Sequence, residues 1–231
     1  MDRKREGVAR LRGTGWVLTW LCAVGLASEG ISAQPRYRVN PSGLAVHLRI
    51  DQSGSLSIAD LRQVMDQVRE IWKTVGVTVT SGRYGDLANP GAATISIRLV
   101  GAPPRKVNDV TVLAWVIPGE SGTIPPAMFV SVSGVVQLLS AADYRGRPLS
   151  QRPEAIRAQI IAQAIGRAIA HEIGHFVQQS AQHTPGGLMR PSYSTVDLIG
   201  ESLEPFGVPD AERPAVRREI ARLAQLQNQA Q

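Results

Sequence analysis

Beyond residue 43 the chain switches between two hydrophobic periods, and the switches mark its elements. Residues 43–51 (GLAVHLRID) alternate apolar and polar positions and predict a half-buried strand, with His47 on the polar side as a surface residue. Ser57 then offers a capping hydroxyl to a helix from Ile58 to about Val75, where Leu61, Val64, Met65, Val68, Ile71 and Trp72 recur three and four apart. Such a stripe faces a core and implies no cofactor. Gly76 can take the left-handed conformation that ends a helix, and residues 77–80 start a second strand. Three more strand-like runs follow between Gly, Pro and Asn turns: residues 93–100 (ATISIRLV), 110–117 (VTVLAWVI) and 128–136 (MFVSVSGVV). Residues 118–126 (PGESGTIPP) predict a mobile, solvent-facing loop.

A longer helix is predicted from about Pro153 to Gln179, with Pro153 suited to its first turn. Ile156, Ile160, Ile161, Ala164, Ile165, Ala168 and Ile169 make it apolar over more than half its circumference, so it belongs in the interior. A charged amphipathic helix, roughly residues 210–225, ends the chain before a polar tail. The order is strand, helix, four strands, helix, loop, helix, without internal repeats, and it predicts an α+β fold.

Composition changes this picture at one end. At 231 residues, 43% apolar and 19% charged, the chain can bury one sizeable core. Residues 1–33 differ: Arg3, Lys4, Arg5, Arg10 and Arg12 form a basic start, WVLTWLCAVGLA an apolar run of a dozen residues, and small residues an exit. These are the marks of a secretory signal peptide, cut after Ala27 or Ala33. The apolar run falls short of the roughly 20 residues that span a bilayer. The expectation is an exported protein, periplasmic or extracellular, with no stable membrane insertion after cleavage. Cys22 lies in the leader behind Leu21, which is too large for lipoprotein processing, so the mature chain has no thiol chemistry. Removing the leader leaves 20 Lys/Arg against 16 Asp/Glu, scattered through predicted helices, which gives nucleic-acid binding little support. Residues 34–231 read as a single domain, with lobes at about 40–179 and 180–231.

The chemistry concentrates in residues 170–189, AHEIGHFVQQSAQHTPGGLM, which hold three of the four histidines. His171 and His175 lie one turn apart on one face of the long helix, close enough to share a metal ion. Glu172 is one residue further round, placed to hold a water on that ion, which is the mechanical content of His-Glu-x-x-His. The competing reading, an amphipathic helix surface, conflicts with the apolar helix before it. Burying two imidazoles and a carboxylate without partners costs several kcal/mol, and a metal removes that cost. A catalytic zinc takes three protein ligands and keeps one position open. Candidates for the third are His183, Asp197, Glu201 and Glu204, and the neutral imidazole of His183 is favoured over the carboxylates. No glycine lies between Gly174 and Gly186, so the chain must reverse on ordinary residues, within 179–182.

HEIGH, a third histidine soon after and a methionine in GGLM resemble the metzincin zinc metalloproteases, nearest to a matrixin-like bacterial branch. The resemblance covers most of residues 43–193 and implies a twisted mixed sheet of about five strands packed on two long helices, with a small C-terminal helical subdomain. It implies His171, His175 and His183 as ligands of one Zn2+, Glu172 as general base, and Met189 in a tight turn beneath the metal. Met189 alone could equally be a gap-filling core residue. Tyr193, four past the methionine, is a loose match to a tyrosine that in some metzincins reaches the metal or stabilises an oxyanion. In that family the fourth strand is the sheet edge that pairs with extended substrate, which implies main-chain binding along Leu113, Ala114, Trp115 and Val116; Trp115 could also be core. The chain departs from the family pattern at Gln178, where a glycine is usual, and at His183, two residues later than usual.

The expected function is a secreted zinc endopeptidase acting on peptide or protein substrates. The alternatives are a gluzincin-type peptidase with Glu201 as third ligand and a secreted zinc-binding module without catalysis.

Overall fold

The computed structural model describes residues 44–52, 56–83, 92–101, 105–107, 110–117, 127–180 and 182–229. The expected leader and the expected mobile loop at 118–126 lie outside the described residues.

The first strand, β1 (Leu44–Gln52), is followed by α1 (Ile58–Lys73) and the parallel strands β2 (Val77–Arg83) and β3 (Ala93–Val100). A small antiparallel hairpin, β4 (Arg105–Val107) and β5 (Val110–Val112), precedes β6 (Ala114–Ile117) and β7 (Ala127–Ser131). The helices α2 (Val132–Leu139), α3 (Glu154–Gln178), α4 (Thr195–Ile199) and α5 (Arg213–Gln229) complete the chain. The main sheet has the order β2-β1-β3-β7-β6; all neighbours are parallel except β6, which runs antiparallel to β7. The result is an α+β fold built on a five-stranded, mostly parallel sheet.

Local chemistry accounts for the elements. Ser57 and Asp60 form a reciprocal capping box at the start of α1, and Gly76, at φ 73°, follows its end in the left-handed conformation. The α1 stripe buries Val64, Met65, Val68, Ile71 and Trp72, each aliphatic side chain contributing about 1.5–3 kcal/mol. α3 packs along α1 and is buried almost continuously from Ala162 to Val177, as its near-continuous apolar surface requires. α5 runs back to the sheet, where the Gln227 amide grips both backbone groups of Thr94 in β3, at 2.5 and 2.9 Å.

Three expectations are corrected. His47 is buried, 8% exposed, with Nδ1 2.9 Å from Thr80 Oγ1 on the neighbouring β2. Strand β1 lies between β2 and β3, and the neighbouring strand sets the Thr80 hydroxyl beside the His47 ring, while Arg49 and Asp51 on the same side stay partly exposed. The run 128–136 is strand only to Ser131. There the Ser131 hydroxyl accepts from Gly134 N at 3.0 Å and starts α2. Val132, Val135 and Leu139 are buried at helical spacing, so packing overrode the strand preference of valine. The run 110–117 breaks at Leu113, whose carbonyl accepts from Ser131 N (2.8 Å); residues before it pair with β4 and residues after it join the main sheet.

Candidate metal centre

The last turns of α3 carry His171, Glu172 and His175, all buried (0, 0 and 3% exposed). Beyond Gln178 the chain must turn back. Gln179 does this in the left-handed conformation (φ 48°), a role glycine usually fills. Its backbone N–H reaches the Phe176 carbonyl at 3.2 Å and Ser180 N the His175 carbonyl at 3.3 Å, so the helix end is satisfied without glycine. The returning segment delivers His183 to the helix pair. Its ring centroid lies 5.5 Å from that of His171 and 4.8 Å from that of His175. One nitrogen from each of the three lies within 4.8 Å of the others.

The hydrogen-bond pattern defines what can sit between them. His171 Nδ1 lies 2.7 Å from the Leu188 carbonyl and His175 Nδ1 lies 2.8 Å from the Ser180 carbonyl. A carbonyl only accepts, so each Nδ1 carries the ring proton and each Nε2 is left with a bare lone pair. Those two Nε2 atoms face each other at 2.9 Å. Two lone pairs at that distance repel unless a positive centre lies beside them. A shared proton is disfavoured, because burial holds His171 well below the ordinary histidine value of 6.5 and His175 down at about 4. His183 is lowered by burial too, and its Nε2 is buried without a hydrogen-bond partner. A tetrahedral metal site wants its nitrogens about 3.3 Å apart, a value between the 2.9 Å of the helix pair and the 4.8 Å limit of the trio. These three histidines could hold a metal ion, and their donor chemistry fits one.

Beside them, both carboxylate oxygens of Glu172 are buried with no hydrogen-bond partner. Burial alone pushes this carboxyl up to about 8. A carboxylate in such a place binds a proton far more readily than one in water.

Met189 lies in a short 3-10 turn, 187–189, and is 3% exposed. Its sulfur packs against the α3 backbone at Gly174, where any Cβ would collide with Sδ. The glycine inside HEIGH therefore admits the methionine. Tyr193, 1% exposed, stands edge-on to His171 (5.8 Å, 90°) but its hydroxyl donates to the Leu188 carbonyl at 2.5 Å, with the Gly187 carbonyl at 3.1 Å. Burial pushes its pKa up, which keeps it a donor.

The carboxylate candidates lie elsewhere. Asp197 closes a capping box with Ser194 and pairs with Arg190; Glu201 is on the surface, 2.5 Å from Arg145. Glu204 is exposed at the start of another 3-10 turn. None joins the histidine cluster, so the gluzincin-type alternative lacks its ligand. Of the expected edge residues, Ala114, Trp115 and Val116 lie in β6, which forms one edge of the sheet among the described residues, and Leu113 lies just before it, buried at 1% exposed. Trp115 is half-buried and stacks on Phe129 of β7, its register partner (5.4 Å, 8°).

Sequence reasoning missed Gly174, Arg167 and Phe206. Arg167 was the readable signal: the one charge between Arg157 and Glu172, one turn before His171, in a mainly apolar stretch. It is 1% exposed, donates to the carbonyls of Asp197 and Ser202 (the latter at 3.2 Å), and lies over the Phe206 ring at 4.9 Å.

No family model matches this sequence, and no curated protein matches it. Among solved structures, metalloproteinase-II from Bacteroides fragilis aligns over 90% of this chain at 13% identity and a TM-score of 0.44. The chain spans 59% of that protein's length.

Proposed function

We propose that the chain is an exported zinc-dependent endopeptidase in which His171, His175 and His183 hold the metal and Glu172 is the general base. The observation that carries this reading is the pair of Nε2 lone pairs facing each other at 2.9 Å, with both Nδ1 atoms committed to carbonyls. Three imidazoles, rather than four closed ligands, are the donor set of a catalytic zinc, which acidifies a water and polarises a carbonyl when bound. Glu172 accepts the proton of the attacking water and passes it to the leaving amine; a cation held by the neighbouring histidines would favour its ionised form, the form that can accept that proton. An extended peptide adds to the sheet along β6, its main chain pairing with 114–117 and Trp115 flanking a side chain. Met189 supports the helix from below.

A purified mature protein should contain one zinc and digest casein in a chelator-sensitive way. Glu172→Gln should abolish digestion with zinc retained, and His183→Ala should lose the metal. Normal zinc in His183→Ala would overturn the ligand set. Full activity in Glu172→Gln would overturn the base.

A further inference from the structure

The segment after Met189 is tied to the first histidine by a single carbonyl. Leu188 C=O receives both the His171 Nδ1–H, at 2.7 Å, and the Tyr193 hydroxyl, at 2.5 Å. With two lone pairs, one carbonyl can serve both donors. The Tyr193 ring is itself held in a four-membered column. Arg190 lies over one face at 4.2 Å, and Phe206 stacks on it at 4.6 Å and 15°. Arg167 lies over the Phe206 ring at 4.9 Å. The column has anchors at both ends: Arg167 hooks the Asp197 and Ser202 carbonyls from within α3, and Arg190 pairs with Asp197. The column's contact towards the histidines is Tyr193, edge-on to His171, with its hydroxyl engaged by the Leu188 and Gly187 carbonyls. It reaches the carbonyl that fixes how His171 turns.

We infer that Tyr193 is a positioning residue for His171: through the shared Leu188 carbonyl it sets the ring's tautomer and orientation, and the Arg190–Tyr193–Phe206–Arg167 column holds it there. This assignment rests on the histidine trio being the metal site, and it replaces the expectation that Tyr193 is an extra ligand or an oxyanion donor. A group that orients a metal-bound histidine typically changes metal affinity about 10–100-fold when removed. An oxyanion donor would leave affinity untouched and lower only the turnover rate.

Tyr193→Phe keeps the ring and the column and deletes only the hydroxyl. Zinc affinity is measured by competition with a chromophoric chelator, and the visible spectrum of the cobalt-substituted protein reports ligand geometry. The inference expects the folded variant to bind zinc about tenfold more weakly, the low end of what losing a histidine's own hydrogen-bond partner causes because Tyr193 acts through that partner, and to show a shifted cobalt spectrum. Unchanged affinity and an unchanged spectrum overturn it, whatever happens to activity. If the unmodified protein binds neither metal, the metal site itself fails; if it binds both and Tyr193→Phe matches it, only this inference fails. Arg167→Lys is a second probe that leaves the hydroxyl in place. Loosening the column should weaken zinc binding in the same direction, and tighter or equal binding in a folded Arg167→Lys counts against it.

Discussion

Two stretches meet at the histidines, and they are held in place by different forces. Helix α3 presents His171, Glu172 and His175 on a backbone fixed by its own ladder and buried on nearly all sides. The returning segment, from Ser180 to Phe206, has only short helical turns and is held by side chains reaching to its carbonyls. Arg167 takes those of Asp197 and Ser202, Gln163 takes that of Gly200 at 2.7 Å, and Tyr193 takes that of Leu188. The helix thus places two donors at little further cost, while the third sits on a segment without a ladder of its own, held by these polar contacts together with the buried Leu188, Met189, Leu198, Ile199 and Phe206. The second stretch should therefore fail first.

The largest expected effect tests that directly. Arg167→Ala removes two charged hydrogen bonds and the packing of the guanidinium on Phe206, which should cost about 3 kcal/mol. Urea unfolding of the metal-free protein measures it. A loss no greater than that of an ordinary surface change would mean the returning segment is held by something else.

Next is a pH effect that belongs to the helix side, because all three groups behind it lie on α3. In the metal-free protein the Glu172 carboxyl is raised from 4.5 to about 8 by burial. An acid of this kind stabilises the fold fully below its unfolded pKa and loses that contribution as pH climbs through the folded one. His171 and His175 are lowered from 6.5, so their contribution is lost in the other direction, as pH falls below that value. Stability of the metal-free protein should peak near pH 6.5 and fall by about 2 kcal/mol towards pH 8. Thermal unfolding across that range checks it, and Glu172→Gln should flatten the alkaline arm.

A smaller effect probes the contact between the stretches. Gly174→Ala puts a methyl onto Met189 Sδ. The methionine is flexible, and alanine favours helix by about 1 kcal/mol, so the net loss should be about 1–2 kcal/mol. Met189→Ala opens a cavity of its own, so the double variant should lose less than the sum of the two single losses, because the collision has gone. Additive losses in the double variant would show that the two residues do not press on each other.

The same contrast explains what the sequence revealed. Helices α1 and α3 and the pair His171–His175 were legible because helical period and ligand spacing are both local. His183 was legible by residue type alone; the turn that delivers it uses Gln179 at positive φ, which no glycine announced. The column of Arg190, Tyr193, Phe206 and Arg167 was hidden because its members lie up to 39 positions apart, Arg167 on α3 and the other three in a segment without a period. Residues 132–136 misled for a third reason. Their valines suit a strand, and the Ser131 cap together with the burial of Val132, Val135 and Leu139 turned them into helix. His47 misled because alternation shows which side a residue faces, not whether that side is covered.

The smallest expected effect is none at all, and it still separates two designs. Glu201 was the strongest carboxylate rival to His183, and it belongs to the same returning segment. Its partner is Arg145, and the two side chains are 81 and 69% exposed. Water screens such a pair, so its removal should leave both fold and site alone. Glu201→Ala should keep the zinc content, the cobalt spectrum and the unfolding midpoint of the unmodified protein. Loss of metal in that variant would mean the segment refolds around the ion to bring a carboxylate in, with His183 displaced. The returning segment would then be a moving part rather than a tethered one, and the side-chain hooks that hold it here would belong to only one of its two positions.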